Sequence, residues 1–318
     1  MSAETPHSVA HQSVLLEEAL HGLALKPDGA YVDATFGRGG HSAALLARLG
    51  PAGRLLALDR DPEALMAAFA LQRDPRFAIR QANFSELTAQ VAAWAPSGVD
   101  GVLLDLGVSS PQLDQAERGF SFRRDGPLDM RMDPTTGESA AEFLARADVS
   151  EIAQVLREFG EERHAGKVAR AIVVAREQAP ILRTAQLARI IAEAMPRREP
   201  GIDPATRSFQ GLRIRINDEL GELDAVLPQA LAALRPGGRL AVISFHSLED
   251  RRVKQFIARH ARPPEIPAGL AVREADRPAS PLRSIGRAVF ASPAEVQRNP
   301  RARSAVLRVA ERTAVSVP

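Results

Sequence analysis

Apolar residues in the first third of the chain gather into short, near-continuous runs, each followed by a stretch with helical spacing. Tyr31-Val32, Arg54 to Asp59, Phe77 to Gln81 and Val99 to Leu106 are the runs. Their length and lack of strict alternation predict parallel strands buried on both faces. His11 to Leu25 places Val14, Leu15, Ala19, Leu20 and Leu23 on one side and predicts an amphipathic helix before Pro27. The βα alternation stops after residue 112. Residues 113 to 207 carry a polar loop rich in Arg, Asp, Pro and Gly, then helical patterns near 138–146, 149–159, 161–178 and 184–195. From Phe209 the alternation resumes, with a long helix over Ile216 to Leu234 closed by Pro236-Gly237-Gly238, and a fifth strand over Arg239 to Phe245. Residues 262–284 are Pro/Arg-rich and predict an irregular excursion, and Ser304 to Ala310 alternates as a final strand with Arg308 outward. The expected organisation is an α/β domain of residues 1–112 and 208–318, interrupted by an inserted helical domain of residues 113–207.

Chemistry concentrates where the first strand ends. Residues 29–42 read Gly-Ala-Tyr-Val-Asp-Ala-Thr-Phe-Gly-Arg-Gly-Gly-His-Ser and run into an Ala/Leu-rich helix. Gly37, Gly39 and Gly40 let the backbone turn sharply and approach a ligand. The helix start behind them presents free N–H groups and a positive dipole end. A dinucleotide fingerprint needs G-x-G-x-x-G, but Ser42 stands at the third glycine position. Asp33, four residues before Gly37, gives instead D-x-x-x-G-x-G, which resembles the first motif of class I S-adenosylmethionine-dependent methyltransferases. An NAD-linked oxidoreductase is disfavoured on both counts.

Further acids fall at the strand ends. Asp59 lies 22 residues beyond Gly37, close to the ~20 at which an acid accepts from ribose hydroxyls. Asp61 is its rival, but its place before Pro62 suits the first turn of a helix. Phe84 follows the third strand, where covering an adenine ring and plugging the core are evenly matched readings. Asp105 to Gln112, after the fourth strand, is a polar turn at the sheet end where ligands bind. His246 follows the fifth strand, with bracing by Glu249 as its ordinary role.

Composition narrows the setting modestly. The 318 residues are 45% hydrophobic and 25% charged, which is an ordinary soluble balance. No apolar run reaches the ~18 residues of a membrane span, and the polar N-terminus lacks an export signal, so a cytoplasmic location is expected. There is no cysteine, which excludes disulfides, a thiolate nucleophile and a thiolate metal site; no metal is expected. Lysine occurs only at Lys26, Lys167 and Lys254, so arginine carries nearly all the positive charge. With a net charge of only +2, tight binding to arbitrary RNA is not expected.

Several stretches together identify a family. His11 to Leu16, Thr35 to Ser42, Leu103 to Gln112, Arg118 to Phe122, Gly126 to Pro134, Ala205 to Gln210, Ile243 to Arg252 and Asn299 to Ser304 resemble the ribosomal RNA small-subunit methyltransferase H family, also called MraW. The resemblance spans nearly the whole chain. It implies a class I, Rossmann-like fold with a mostly parallel sheet and an inserted helical substrate-recognition domain. The implied activity is N4-methylation of a cytidine in the decoding centre of small-subunit ribosomal RNA, with S-adenosyl-L-methionine as cofactor. The implied cofactor contacts fall on Gly39, Gly40, His41, Asp59, Phe84, Asp105 and Gln112; Asp33 and Gly37 of the loop belong with them. Without the resemblance, His41 would read as a helix-start residue.

The Asp/Asn-Pro-Pro-Tyr/Phe loop of many amino-methyltransferases is replaced here by Leu106 to Pro111. Candidates for receiving the amine are therefore Asp105 and the carbonyls of 106–109, then Ser109 and Ser110, with His246 beside them. Stacking candidates are Phe120, Phe122, Phe209 and Phe245. Arg118, Arg123, Arg124, Arg131, Arg197, Arg198, Arg207, Arg213 and Arg215 are candidates for phosphate contact. The expected partner is the small ribosomal subunit, assembled or assembling; a homodimer is left open.

Overall fold

The computed structural model describes residues 13–195, 203–263 and 279–315. Arg197, Arg198 and the middle of the Pro/Arg-rich excursion lie outside them, as do His11 and Gln12.

The chain begins with α1 (Leu16–Leu23), β1 (Ala30–Asp33), α2 (Gly40–Arg48), β2 (Arg54–Asp59), α3 (Pro62–Ala67), β3 (Phe77–Gln81), α4 (Leu87–Trp94) and β4 (Val99–Asp105). A helical series follows: α5 (Ser110–Asp114), α6 (Ala140–Arg146), α7 (Val149–Glu158), α8 (Ala165–Gln178), α9 (Thr184–Ala194) and α10 (Thr206–Asn217). The return comprises α11 (Glu219–Ala233), β5 (Leu234–Ser244), α12 (Ser247–His260), β6 (Leu282–Ser284), β7 (Val289–Phe290), α13 (Pro293–Arg298) and β8 (Val306–Arg312).

Two compact units result. One contains residues 1–106 and 223–318, the other residues 107–222. The second is wider at both ends than the 113–207 span read from the sequence. None of the described helices is long and apolar enough to cross a membrane.

In the first unit the strands form one sheet ordered β3-β2-β1-β4-β5-β8-β6, with β7 also on β8. β1 to β5 run parallel, while β8 pairs antiparallel with β5, β6 and β7. This is the class I methyltransferase arrangement, a Rossmann-like α/β sheet. The order turns back between β1 and β4, and the carboxyl ends of strands at such a switch point form a ligand crevice. Side chains alternate across the sheet as strand geometry requires. Val32, Leu56, Leu58, Val102, Leu104 and Val242 pack with α4, α11 and α12 on one face. Tyr31, Leu55, Ala57, Leu103 and Ile243 pack with α1 and α2 on the other. Burial on both faces is why these strands read as unbroken apolar runs.

The second unit closes a separate core. Phe143, Ile152, Leu156, Val168, Ile172, Leu187, Ile191, Phe209 and Leu212 meet at its centre. The long helix expected over Ile216 to Leu234 is α11, which starts three residues later, while Ile216 and Asn217 end α10. Asp218 sits at φ 48° and ψ 39° between α10 and α11, a left-handed conformation that Asp tolerates better than most residues. Pro228 lies inside α11 and did not mark the break. The residues Pro236-Gly237-Gly238, expected to close a helix, fall within β5.

Candidate functional site

β1 delivers Asp33 to the switch point. The carboxylate is fully buried, accepting from Thr35 N at 3.2 Å and from Ser42 Oγ at 2.7 Å. One acid thereby ties the start of the glycine loop to the first turn of α2. Burial pushes its pKa up, against the opposing pull of His41 and the Ser42 hydrogen bond. Asp33 thus shapes the loop from beneath, and the third-glycine position is Ser because its hydroxyl is the bracing donor.

The loop itself is tight. Gly39 has φ +76°, and a Cβ there would meet the Phe36 ring at 2.5 Å; a Cβ on Gly40 would lie 2.0 Å from Ser13 Oγ. A larger residue at Gly39 would be strained by the positive φ itself, while at Gly40 it would first have to push the Ser13 hydroxyl aside. Gly37 N donates to Asp59 Oδ2 at 2.7 Å, and Asp61 N donates to Asp59 Oδ1 at 2.9 Å. The carboxylate at the end of β2 is therefore clasped to the loop after β1. Burial pushes the Asp59 pKa up to about 6, although both backbone donors favour the charged form. Asp61 caps α3 by accepting from Glu63 N at 3.0 Å, the helix-start role read from its place before Pro62.

Phe84 opens a short turn after β3, where Asn83 and Glu86 form a capping box. It is partly buried against the core shared by α4 and α11, so it contacts that core without being enclosed by it.

β4 delivers Asp105 beside the loop. Its backbone N donates to Thr35 Oγ1 at 2.6 Å. Oδ2 lies 3.4 Å from His41 Nδ1, and the buried Oδ1 has no hydrogen-bond partner among the described residues. His41 is itself buried, with Nε2 3.2 Å from the Val14 carbonyl. Burial disfavours its charged form, but Asp105 and Asp33 outweigh that and leave its pKa raised. The structure thus brings Asp33, Gly37, His41, Asp59 and Asp105 to one end of the sheet. Thr35 and Ser42 supply the hydroxyls that tie Asp105 and Asp33 to the loop. Their signal was a hydroxyl two residues after the acid and another at the helix start.

His246 caps α12, its ring accepting from Glu249 N at 3.4 Å, with Nε2 3.0 Å from Glu249 Oε1. Glu249 Oε2 accepts from Phe245 N and His246 N. This is the bracing arrangement.

In the second unit, Ser109 caps α5 and its N donates to Gln112 Oε1 at 2.9 Å; Ser110 is the first residue of that helix. Arg118 is buried and donates to the carbonyls of Arg131 and Met132. Arg213 grips Glu219 with two bonds of 2.8 and 2.9 Å, and Arg131 grips Asp129. Arg215 lies over Phe143 at 5.2 Å, and Arg207 sits in the first turn of α10. Arg123 and Arg124 are exposed, the latter donating to Asp114 O.

A family model described as the MraW methylase family matches residues 8–313. The chain belongs to the MraW methylase family. Among relatives of the family, a protein of Thiobacillus denitrificans named ribosomal RNA small subunit methyltransferase H is 60% identical over 96% of this chain and 98% of its own. One of the same name from Thioalkalivibrio sulfidiphilus is 60% identical with the same coverage. Among solved structures, an rRNA methylase from Streptococcus thermophilus is 12% identical with a TM-score of 0.41, covering 96% of this chain and 99% of that one.

Proposed function

We propose that the protein methylates small-subunit ribosomal RNA at N4 of a cytidine in the decoding centre, using S-adenosyl-L-methionine. The observation that carries the rRNA assignment is the family membership, with near full-length relatives at 60% identity named for that reaction class. The N4 and decoding-centre assignments rest on the motif resemblance.

The residues at the strand ends fit the cofactor. The clasp of Asp59 on the Gly37 amide puts a carboxylate at the end of β2, suited to ribose hydroxyls. Gly39 and Gly40 bring backbone close at the start of α2, where a helix terminus favours a carboxylate. Phe84 offers a ring for the adenine, and Gln112 remains a contact candidate alongside its capping role. The unpartnered Asp105 Oδ1 is an acceptor awaiting an N–H donor.

When bound, S-adenosyl-L-methionine supplies an electrophilic methyl group on a sulfonium. The chain's task is to hold the cytosine amine in line with it and accept the N–H hydrogens, because the amine lone pair is delocalised into the ring. Positioning and oriented acceptors account for most of the gain such a site can give. Methyl addition at N4 is balanced by loss of one N4 proton. Asp105 and the carbonyls of residues 106–109 are the acceptors we favour, with Ser109 and Ser110 next. His246 is engaged with Glu249, which favours a bracing role for it.

The helical unit is the proposed substrate-binding region. Arg123, Arg124, Arg207 and Arg215 are the proposed phosphate contacts. Arg118 and Arg213 hold the unit's own fold. The assembled or assembling small subunit in the cytoplasm is the proposed substrate.

The test is methyl transfer from labelled S-adenosyl-L-methionine to small subunits lacking the modification, followed by mass mapping. One cytidine of the small-subunit rRNA should carry the label on its exocyclic nitrogen. Label on a ring carbon or another nucleotide would end the N4 reading, and no label in rRNA would end the rRNA reading.

A further inference from the structure

The two ring nitrogens of His41 face two acceptors. Nε2 lies 3.2 Å from the Val14 carbonyl, which can only accept, so Nε2 carries a hydrogen. Nδ1 lies 3.4 Å from Asp105 Oδ2. A neutral ring with its hydrogen on Nε2 would turn a bare lone pair on Nδ1 toward a carboxylate oxygen. His41 is only 5% exposed, so the ring nitrogen itself gains little from solvent to relieve that opposition. A proton on Nδ1 converts it into a charge-assisted contact. The charged groups facing the ring are Asp105 from β4 and Asp33 from β1, both acids.

We infer that His41 is a positioning residue, held as an imidazolium between the Val14 carbonyl and Asp105, and that its clamp on Oδ2 presents Oδ1 of Asp105 as an open acceptor for an N–H donor. Three fixed points support the arrangement. The Val14 carbonyl anchors the ring from the segment before α1, Thr35 Oγ1 receives the Asp105 amide at 2.6 Å, and Oδ1 is buried with no partner among the described residues. A carboxylate with one oxygen clamped and the other open prefers a cationic or polarised N–H group. Two sources in the proposed reaction carry one: the α-ammonium of the cofactor and the exocyclic amine of cytosine. The inference deepens the methyltransferase reading and rests on it only for the identity of that donor.

The clamp is tested on the intact chain by ¹⁵N NMR of its histidine rings. At pH 7.5 His41 should show both nitrogens protonated, and Asp105→Asn should convert it to a ring with one bare nitrogen, since an amide relieves the opposition without a proton. A bare nitrogen on His41 in the unaltered protein would overturn the inference, whatever the enzyme does. The donor is tested with His41→Gln, its fold checked by thermal melting. If the donor is the ammonium, calorimetry with S-adenosylhomocysteine should show a loss of roughly tenfold or more. If it is the amine, that affinity stays and kcat for methyl transfer falls by a similar factor. Neither change, in a folded variant, would overturn the positioning role. Should His41→Gln not fold, the ring spectrum of the unaltered protein still decides. An imidazolium in a chain that transfers no methyl group would sink the enzyme reading and leave the clamp standing.

Discussion

Carboxylates at the switch point of the sheet and carboxylates in the helical unit have opposite surroundings. In the helical unit three acids are answered by a cation or by capping donors. Arg183 at Asp125, Arg131 at Asp129 and the Ser139 cap at Glu142 all hold these acids below their usual range. At the strand ends, Asp33 is buried and Asp59 half-buried, with no arginine against either carboxylate among the described residues, and desolvation pushes both up. The first kind closes a fold and leaves nothing over for a ligand. The second keeps acceptors at elevated free energy inside a preorganised loop, a condition that marks functional sites more often than structural ones. Arginines divide similarly: Arg118 and Arg213 are tied to carbonyls and an acid, while Arg123 stands exposed.

That contrast makes removal of a strand-end acid a functional loss and removal of a helical-unit pair a stability loss. The largest effect is expected for Asp105→Ala. Methyl transfer to undermethylated small subunits should fall roughly a hundredfold to a thousandfold, with the thermal midpoint little changed. Retained turnover would erase the distinction. Arg213→Ala should instead leave Glu219, 8% exposed, without its partner. Chemical denaturation should register a loss of roughly 2–3 kcal/mol in the helical unit; no loss would mean that the pair contributes nothing to closing the fold.

The smallest effect carries the sharpest sign. Asp59 in the folded chain keeps its proton up to about pH 6, whereas the unfolded chain releases it near the ordinary aspartate value. As pH rises between those values the unfolded state loses its proton first, so folding becomes less favourable, with the full cost present above about 6. Asp59→Asn removes that titration but weakens one backbone contact. It should stabilise the ligand-free protein at pH 7.5 by roughly 1–2 kcal/mol and give no gain near pH 4. Thermal melts at the two pH values measure the difference, and an equal shift at both would contradict the buried-acid account.

Much of the framework was legible because burial on both faces writes strands as apolar runs. β2 and β3 fall where the runs do, and the strand-end acids follow from where the runs stop. The edge strands β6 and β7 left no such mark, being three and two residues long with most side chains exposed. The end of α10 at Asp218 was hidden because it uses neither glycine nor proline, only an aspartate in the left-handed region, so α10 itself was not read as a helix. Within the site, a sequence gives Asp33 but not that Ser42 Oγ sits on it. It gives His41 and Asp105 but not their 3.4 Å separation, since that depends on how β1 and β4 pair. Whether an arginine reaches solvent or a carbonyl is equally a tertiary fact, as Arg118 shows.

We propose that Asp59, held by two backbone donors, binds the cofactor. Calorimetric titration of S-adenosylhomocysteine into Asp59→Ala and the unaltered chain at pH 7.5 tests it most directly. A loss of affinity of roughly tenfold or more is predicted, as for a hydrogen-bonded charge removed from its ligand. Equal affinities in two folded proteins would contradict it.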